Sequence, residues 1–211
     1  TASAPPLLFV RGNKDVLHLP QLAIVGARNA TAAGLKCAAD FARGLAERGL
    51  TITSGLALGI DAAAHQGALN AGGITIGVLG TGVDAIYPRQ NGKLAAAMLE
   101  RGALVSELSL GSPAKREHFP QRNRLISGLS HGVLVVEAAV QSGSLITAHF
   151  AAEQGRTVFA IPGAITNVMA RGCHALIRNG ATLVETIDNI VEELESNLQL
   201  PLTQALSVLT D

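Results

Sequence analysis

Cysteine is almost absent from this 211-residue chain, with Cys37 and Cys173 its only two. Two cysteines build no disulfide framework, and no CxxC zinc spacing occurs, so a reducing cytoplasm is the expected compartment and no metal site is expected. Tryptophan is missing, and aromatic residues make up 3% of the chain. Ring platforms are therefore scarce, and a Phe inside a polar stretch stands out. Neither sign of charge is in excess, because 16 Lys and Arg balance 16 Asp and Glu. That excludes a polybasic coat and confines any anion site to a local cluster. No apolar run reaches the ~18 residues of a membrane helix. Thr1 to Pro6 carry neither the basic nor the apolar region of a signal peptide, so no membrane association is expected.

Hydrophobic residues make up 48% of the chain and charged ones 15%, a composition that buries a core and argues against general disorder. Continuously apolar, β-rich runs occur at Leu22 to Gly26, Leu50 to Thr53, Ile74 to Leu79, Ala103 to Leu108, Gly132 to Val136, Thr157 to Ile161 and Ala181 to Val184. Unbroken runs of this length suit parallel strands covered on both faces. Helical spacing fills the gaps between them, as in Leu35, Ala38, Ala39, Ala42, Leu45 and Ala46, closed by Gly49. Asp61 to Ala71, Lys93 to Arg101, Ser144 to Gln154 and Cys173 to Arg178 read the same way. The β-α alternation predicts an α/β fold, a doubly wound and mostly parallel sheet with helices on both faces. Residues 1–20, with Pro5, Pro6 and Pro20, are expected to be a lead-in strand or linker. Residues 21–196 form the main domain, ending in a helix over 186–196. Residues 197–211 read as a linker or the start of a further domain.

Several turns at the carboxyl ends of the predicted strands can carry chemistry. Gly26 to Gly34 is a strand-to-helix turn holding Arg28, and such a turn aims backbone N–H groups at whatever sits above it. It lacks a full dinucleotide fingerprint; its place at the carboxyl edge of the sheet favours Arg28 as a phosphate partner over the alternative, a surface arginine in a tight turn. Ser54 and Gly55 offer a small hydroxyl and open backbone donors in the next turn. Asp61 and His65 stand four apart on the helix that follows, as an acid–base pair or, more simply, as a cap and a packing histidine. Glu137 could serve as a hydrolytic base beside Ser142-Gly143-Ser144, which is not a nucleophile elbow. The sharpest signal is Lys115-Arg116-Glu117-His118-Phe119-Pro120-Gln121-Arg122-Asn123-Arg124. These ten residues hold four of the 16 basic residues and one of the six aromatics. Cations interleaved with a ring suit single-stranded nucleic acid, the cations meeting phosphates and the ring stacking on a base. A solvated basic loop whose Phe plugs the core is the competing reading.

Taken together, AIVGARNATAAG (23–34), TSGLALGIDAAAHQGAL (53–69), TIGVLGTGVDAIYPRQNGKL (75–94), SELSLGSPAKREHFPQRNRLISGLS (106–130), VVEAAVQSGSLITAHFAAEQGRTVFAIPG (135–163) and GCHALIRNGA (172–181) resemble the DNA-processing protein A family, DprA or Smf. The resemblance covers residues 7–185. It implies an extended Rossmann-like domain without enzymatic activity or a cofactor. Such a domain binds and protects incoming single-stranded DNA in natural transformation, loads the RecA recombinase onto it, and dimerises. Small flanking domains common in the family have no counterpart in the matched segments. Position by position, the resemblance places the DNA pocket on Arg28, Ser54, Gly55, Lys115, Arg116, Phe119, Arg122, Asn123 and Arg124, with Arg122 and Arg124 as contacts or buttresses. Ala27 stands where the family more often has serine. The competing class is a nucleotide phosphoribohydrolase of related fold, but EAAVQSGSLITA lacks that group's PGGxGTxxE motif.

Overall fold

Short β-branched and apolar runs, each ended by a glycine or small-residue turn, pair here into one sheet. The computed structural model describes residues 3–198. Among them are eight strands: β1 (Phe9–Gly12), β2 (Gln21–Val25), β3 (Thr51–Ser54), β4 (Thr75–Val78), β5 (Ala103–Ser106), β6 (Gly132–Val135), β7 (Thr157–Ala160) and β8 (Thr182–Leu183). The helices are α1 (Ala32–Glu47), α2 (Ile60–Asn70), α3 (Gly92–Met98), α4 (His118–Leu129), α5 (Ser144–Glu153), α6 (Arg171–Arg178) and α7 (Ile187–Leu198). The sheet order is β1-β5-β4-β3-β2-β6-β7-β8. Every neighbouring pair is parallel except β1 and β5, where Phe9 opposes Ser106. The fold is thus the expected Rossmann-like α/β sheet. The extended lead-in supplies its antiparallel edge strand, and the segment after Leu198 lies outside the described residues.

Helices cover both faces, which explains why the strands are apolar throughout rather than alternating. On one face Phe41, Ala42 and Leu45 of α1, Ile60, Ala64 and Ala68 of α2, and Ile190 and Leu194 of α7 pack on Leu22, Ile24, Ile52 and Leu134. The apolar stripe of the last helix is therefore a core face. On the other face Leu125 and Ile126 of α4, Ala148 and Ala151 of α5 and Cys173 of α6 cover Ala23, Val25, Val133 and Val135. Val16, with Leu8 and Val10, closes the outer end of that face over Ile76 and Val105.

The connectivity creates the site. The chain leaves β2 and steps outward through β3, β4 and β5. It then crosses back along α4 to β6, on the other side of β2. Adjacent strands β2 and β6, paired at Leu22 and Gly132, thus send their following loops in opposite directions. A crevice opens where such loops part, and ligands of doubly wound sheets bind there.

Candidate nucleic-acid interface

Arg28 is set by backbone contacts on three sides of its turn. Ala27 N–H donates to the Glu137 carbonyl (2.7 Å), and the N–H of Ile60, the first residue of α2, donates to the Ala27 carbonyl (3.2 Å). Gly59 precedes it at φ +78°, and a Cβ there would lie 2.3 Å from the Ala27 oxygen. Only glycine combines that dihedral with so close an approach. The guanidinium that this turn carries is exposed, and its Cζ lies 5.6 Å from the centre of the Phe119 ring. That distance permits a cation–π contact.

The N–H groups of Thr31 and Gly34 at the start of α1 are taken up within the protein, where the expectation for this turn left them open. Both Glu137 oxygens are taken up there: Oε2 accepts from Thr31 N–H (2.9 Å) and Oε1 from the Thr31 hydroxyl (2.7 Å). Thr31 Oγ1 in turn accepts from Gly34 N–H (3.0 Å). A buried carboxylate thus neutralises the positive end of α1. The anion attraction of this turn resides in Arg28, and the carboxylate that a hydrolytic reading needs is engaged in capping.

Beneath the crevice, residues 54–57 form a strained and heavily fastened turn. Leu56 is buried at φ +56°, a left-handed conformation that an L side chain holds only when its surroundings impose it. The restraints are visible. The Ser54 hydroxyl donates to the Ile24 carbonyl (2.6 Å), away from solvent. Asp61 Oδ2 accepts from the N–H groups of Gly55 (3.1 Å) and Ala57 (3.4 Å). Asn91 Nδ2 donates to the carbonyls of Leu56 (2.9 Å) and Ala57 (3.2 Å). Arg122, 5% exposed, donates through Nη1 to the carbonyls of Gly55 (2.7 Å) and Val78. Burial pulls the Arg122 pKa down to about 10, which Asp61 resists and Arg28 reinforces. Burial also pushes the Asp61 carboxyl above its usual range, against the attraction of Arg122. Ser54 and Gly55 therefore lie buried beneath the crevice and not among the residues lining it, contrary to the expectation that they offer donors there, and Arg122 lines the crevice but is bonded inward to this turn. His65 turns to Thr75 (2.6 Å), as a packing histidine does.

The basic segment is not one loop. Lys115 and Arg116 lie in the exposed connection, whereas α4 begins at His118 and takes in Phe119, Arg122, Asn123 and Arg124. Phe119, Arg122, Asn123 and Ile126 follow i, i+3, i+4, i+7 spacing and form one stripe of this helix toward the crevice. The half-buried Phe119 ring packs on Gly80, where a Cβ would lie 2.8 Å from its Cδ1, so the bare glycine makes room for the ring. Tyr87 joins it at a centroid distance of 5.5 Å, tilted 39°. Asn123 donates to the Gly143 carbonyl (3.2 Å) and fastens the loop before α5. Arg124 faces outward and forms a two-pronged ion pair with Glu107 (2.8 and 2.6 Å).

Together these elements line a crevice of about 720 Å³, with Arg28, Lys115, Arg116 and Phe119 on one side and Gln141, Ser142, Ser144 and Thr147 on the other. Arg122 and Asn123 also reach its wall. Among the described residues, Lys36, Arg43, Arg48 and Arg124 pair with carboxylates, whereas Arg28, Lys115 and Arg116 have no ion-pair partner. Cations without ion-pair partners thus share the crevice with a half-exposed ring, and Arg28 lies against it. Tyr87, the Gly80 seat and Asn91 carry parts of the site outside the residues the resemblance assigns, and Ser142 and Ser144, weighed from the sequence beside Glu137 for hydrolysis, line the same crevice. Only the scarcity of aromatic residues pointed to Tyr87. No group of three or more His, Cys, Asp or Glu side chains clusters as metal ligands among the described residues. No described helix is long and apolar enough to cross a membrane.

The sheet, its switch-point crevice and the cations and ring lining that crevice define a Rossmann-like module. The chain belongs to the DNA recombination-mediator protein A family, whose model matches residues 1–195. It is 52% identical over 199 residues to the Smf protein of Escherichia coli K12, covering 94% of this chain and 53% of that protein. It is 47% identical to the DNA processing protein DprA of Streptococcus pneumoniae R6, covering 91% and 68%. The chain thus spans between about half and two thirds of the length of these relatives. The X-ray structure of DprA from Streptococcus pneumoniae superimposes with a TM-score of 0.87 at 47% identity, covering 90% of this chain and 67% of the other. DNA processing protein A from Helicobacter pylori, whose structure was described for its single-stranded DNA binding mode, superimposes with a TM-score of 0.84 at 29% identity, covering 94% and 90%. A molybdenum cofactor binding protein from Rippkaea orientalis shares the fold alone, with a TM-score of 0.61 at 19% identity.

Proposed function

We propose that this chain binds single-stranded DNA in the switch-point crevice, as a DNA-processing module and not as an enzyme. The observation that carries the reading is that three cations without ion-pair partners line the crevice holding the Phe119 ring, with Arg28 5.6 Å from its centre. Arg28, Lys115 and Arg116 neutralise successive phosphates, while Phe119, flanked by Tyr87, stacks on a base. Ser54, Gly55 and Arg122 hold the turn below, and Asn123 fixes the opposite wall. Family membership supports the same reading, as does the Helicobacter pylori relative with its single-stranded DNA binding mode. In this reading the chain acts in the cytoplasm as a homodimer, protects DNA taken up in natural transformation, and loads the RecA recombinase onto it.

The test is fluorescence anisotropy with labelled oligothymidylate. Phe119→Ala and Arg28→Ala are each expected to weaken binding by about tenfold, since base stacking contributes ~1–3 kcal/mol and an exposed phosphate contact somewhat less. The slope of log K against log salt should lie near −2, at about 0.7 per neutralised phosphate. Parent-like binding by both variants overturns the assignment. A nucleotide hydrolase would instead release adenine from AMP, and none is expected.

A further inference from the structure

A second cleft of about 600 Å³ lies beside the first and shares Arg28 with it. It is lined by Leu35 of α1 and Leu94 of α3 together with Gln66, Gln90 and Lys93. No carboxylate is among the described residues lining it, and Lys93 is exposed without an ion-pair partner among those residues. Arg28 stands as a cationic ridge between the two hollows, with the Phe119 ring 5.6 Å away on one side.

Resting on the single-strand reading above, we propose that this second cleft is a continuation subsite. It takes the nucleotides that follow the base stacked on Phe119, with Arg28 under the bridging phosphate and Lys93 on the next one. The chemistry of the walls fits a polymer. A mononucleotide fills one hollow, whereas a phosphodiester chain needs adjoining hollows with a cation at the ridge between them. Apolar side chains meet base faces, and the uncharged amides accept any base edge without fixing sequence. Gln66 already donates to Asn70 Oδ1 (2.9 Å), which leaves its own oxygen to accept from a base. Arg28 thus serves two subsites at once, and its loss should cost more than that of Lys115 or Arg116.

The experiment compares oligothymidylates of about 4 and about 12 nucleotides, lengths that bracket the smaller single-strand site sizes. The proteins are the parent, Lys93→Gln and Lys93→Arg. Lys93→Gln should leave the short oligonucleotide bound as in the parent. It should weaken the long one about fivefold and make its salt slope shallower by about 0.7. Lys93→Arg should restore both. Unchanged binding of the long oligonucleotide to Lys93→Gln overturns the subsite, as does an equal loss on both lengths. Parent protein that binds neither length overturns the single-strand reading itself. A parent that binds both, with loss of both on Phe119→Ala, upholds that reading whatever Lys93 does.

Discussion

Arg116 and Arg122 belong to the same short basic segment, yet they live in different surroundings. Arg116 is exposed and, like Arg28 and Lys115, has no ion-pair partner among the described residues. Arg122 is 5% exposed and donates through Nη1 to the Gly55 and Val78 carbonyls, while its buried Nε has no partner. The rim of the crevice therefore holds charge in reserve for a ligand, whereas the floor consumes charge to hold a strained turn. A buried guanidinium bonded to carbonyls is fastened to the protein, and a free one on the rim is available to phosphate. Proximity in sequence, and even a shared crevice, does not make two arginines equivalent.

The largest expected effect is on the floor. Arg122→Met keeps much of the side-chain volume but strands two buried carbonyls and leaves Asp61 without its neighbouring positive charge. Each buried acceptor left unsatisfied costs ~1–3 kcal/mol, and the Asp61 carboxyl loses the attraction of a charge it is not bonded to. We expect at least ~3 kcal/mol off the denaturant unfolding free energy, and weak DNA binding as a consequence of a relaxed 54–57 turn. Phe119→Ala should show the reverse, with large loss of binding and little loss of stability. An Arg122→Met protein as stable as the parent that still fails to bind DNA would move Arg122 from floor to rim.

An intermediate effect comes from acid. His65 is fully buried, and its pKa is pulled down to about 3, chiefly by burial and further by Arg122. Thr75 Oγ1 spends its proton on the Ile52 carbonyl (2.6 Å), so it accepts from the Nδ1–H of His65. Nε2 has no partner, and a proton added there would have no acceptor. Between pH 6.5 and about 3 the unfolded chain takes up a proton that the folded chain refuses. Stability should therefore fall as pH drops below 6.5, with a slope approaching ~1.4 kcal/mol per pH unit from this residue. His131, also lowered by burial, adds in the same direction. Asp61, raised by burial, offsets part of the loss once the carboxylate range is reached. Unfolding free energies at about pH 7 and pH 5 should differ less in His65→Gln than in the parent. Equal differences would place the acid sensitivity elsewhere.

The sheet was legible in the sequence, and so was the set of residues around the crevice, with Arg122 as a contact or a buttress; how the turn beneath is bonded was not. Continuous apolar runs closed by glycine expose a doubly covered parallel sheet because burial on both faces leaves no alternation to misread. Arg28 and Phe119 were legible because each breaks a local pattern, a cation in a small-residue turn and a ring in a basic run. Helix α4 was hidden because its inward stripe contains Arg122 and Asn123, so a search for apolar spacing passes over it. Ser54 shows the other blind spot. A hydroxyl in a turn reads the same whether it points to a ligand or, as here, to the Ile24 carbonyl. The capping of Thr31 by Glu137 joins residues 106 positions apart, and no local pattern encodes that.

The smallest expected effect bears on the boundary between the two regions. Arg124 stands one turn after Phe119 but is committed to Glu107, both side chains being about a fifth exposed. A two-pronged pair at such a site contributes at most ~1 kcal/mol, because solvent still screens it and both side chains must be ordered. Arg124→Gln should therefore lower the unfolding free energy by no more than that. It should leave the salt slope of DNA binding unchanged, because a cation already neutralised by a carboxylate releases no counterion from the nucleic acid. Lys115→Gln should do the opposite, with unaltered stability and a slope shallower by about 0.7. If Arg124→Gln flattens the slope as Lys115→Gln does, DNA opens the pair with Glu107. The rim then extends one helical turn further along α4 than its bonding in the free protein indicates.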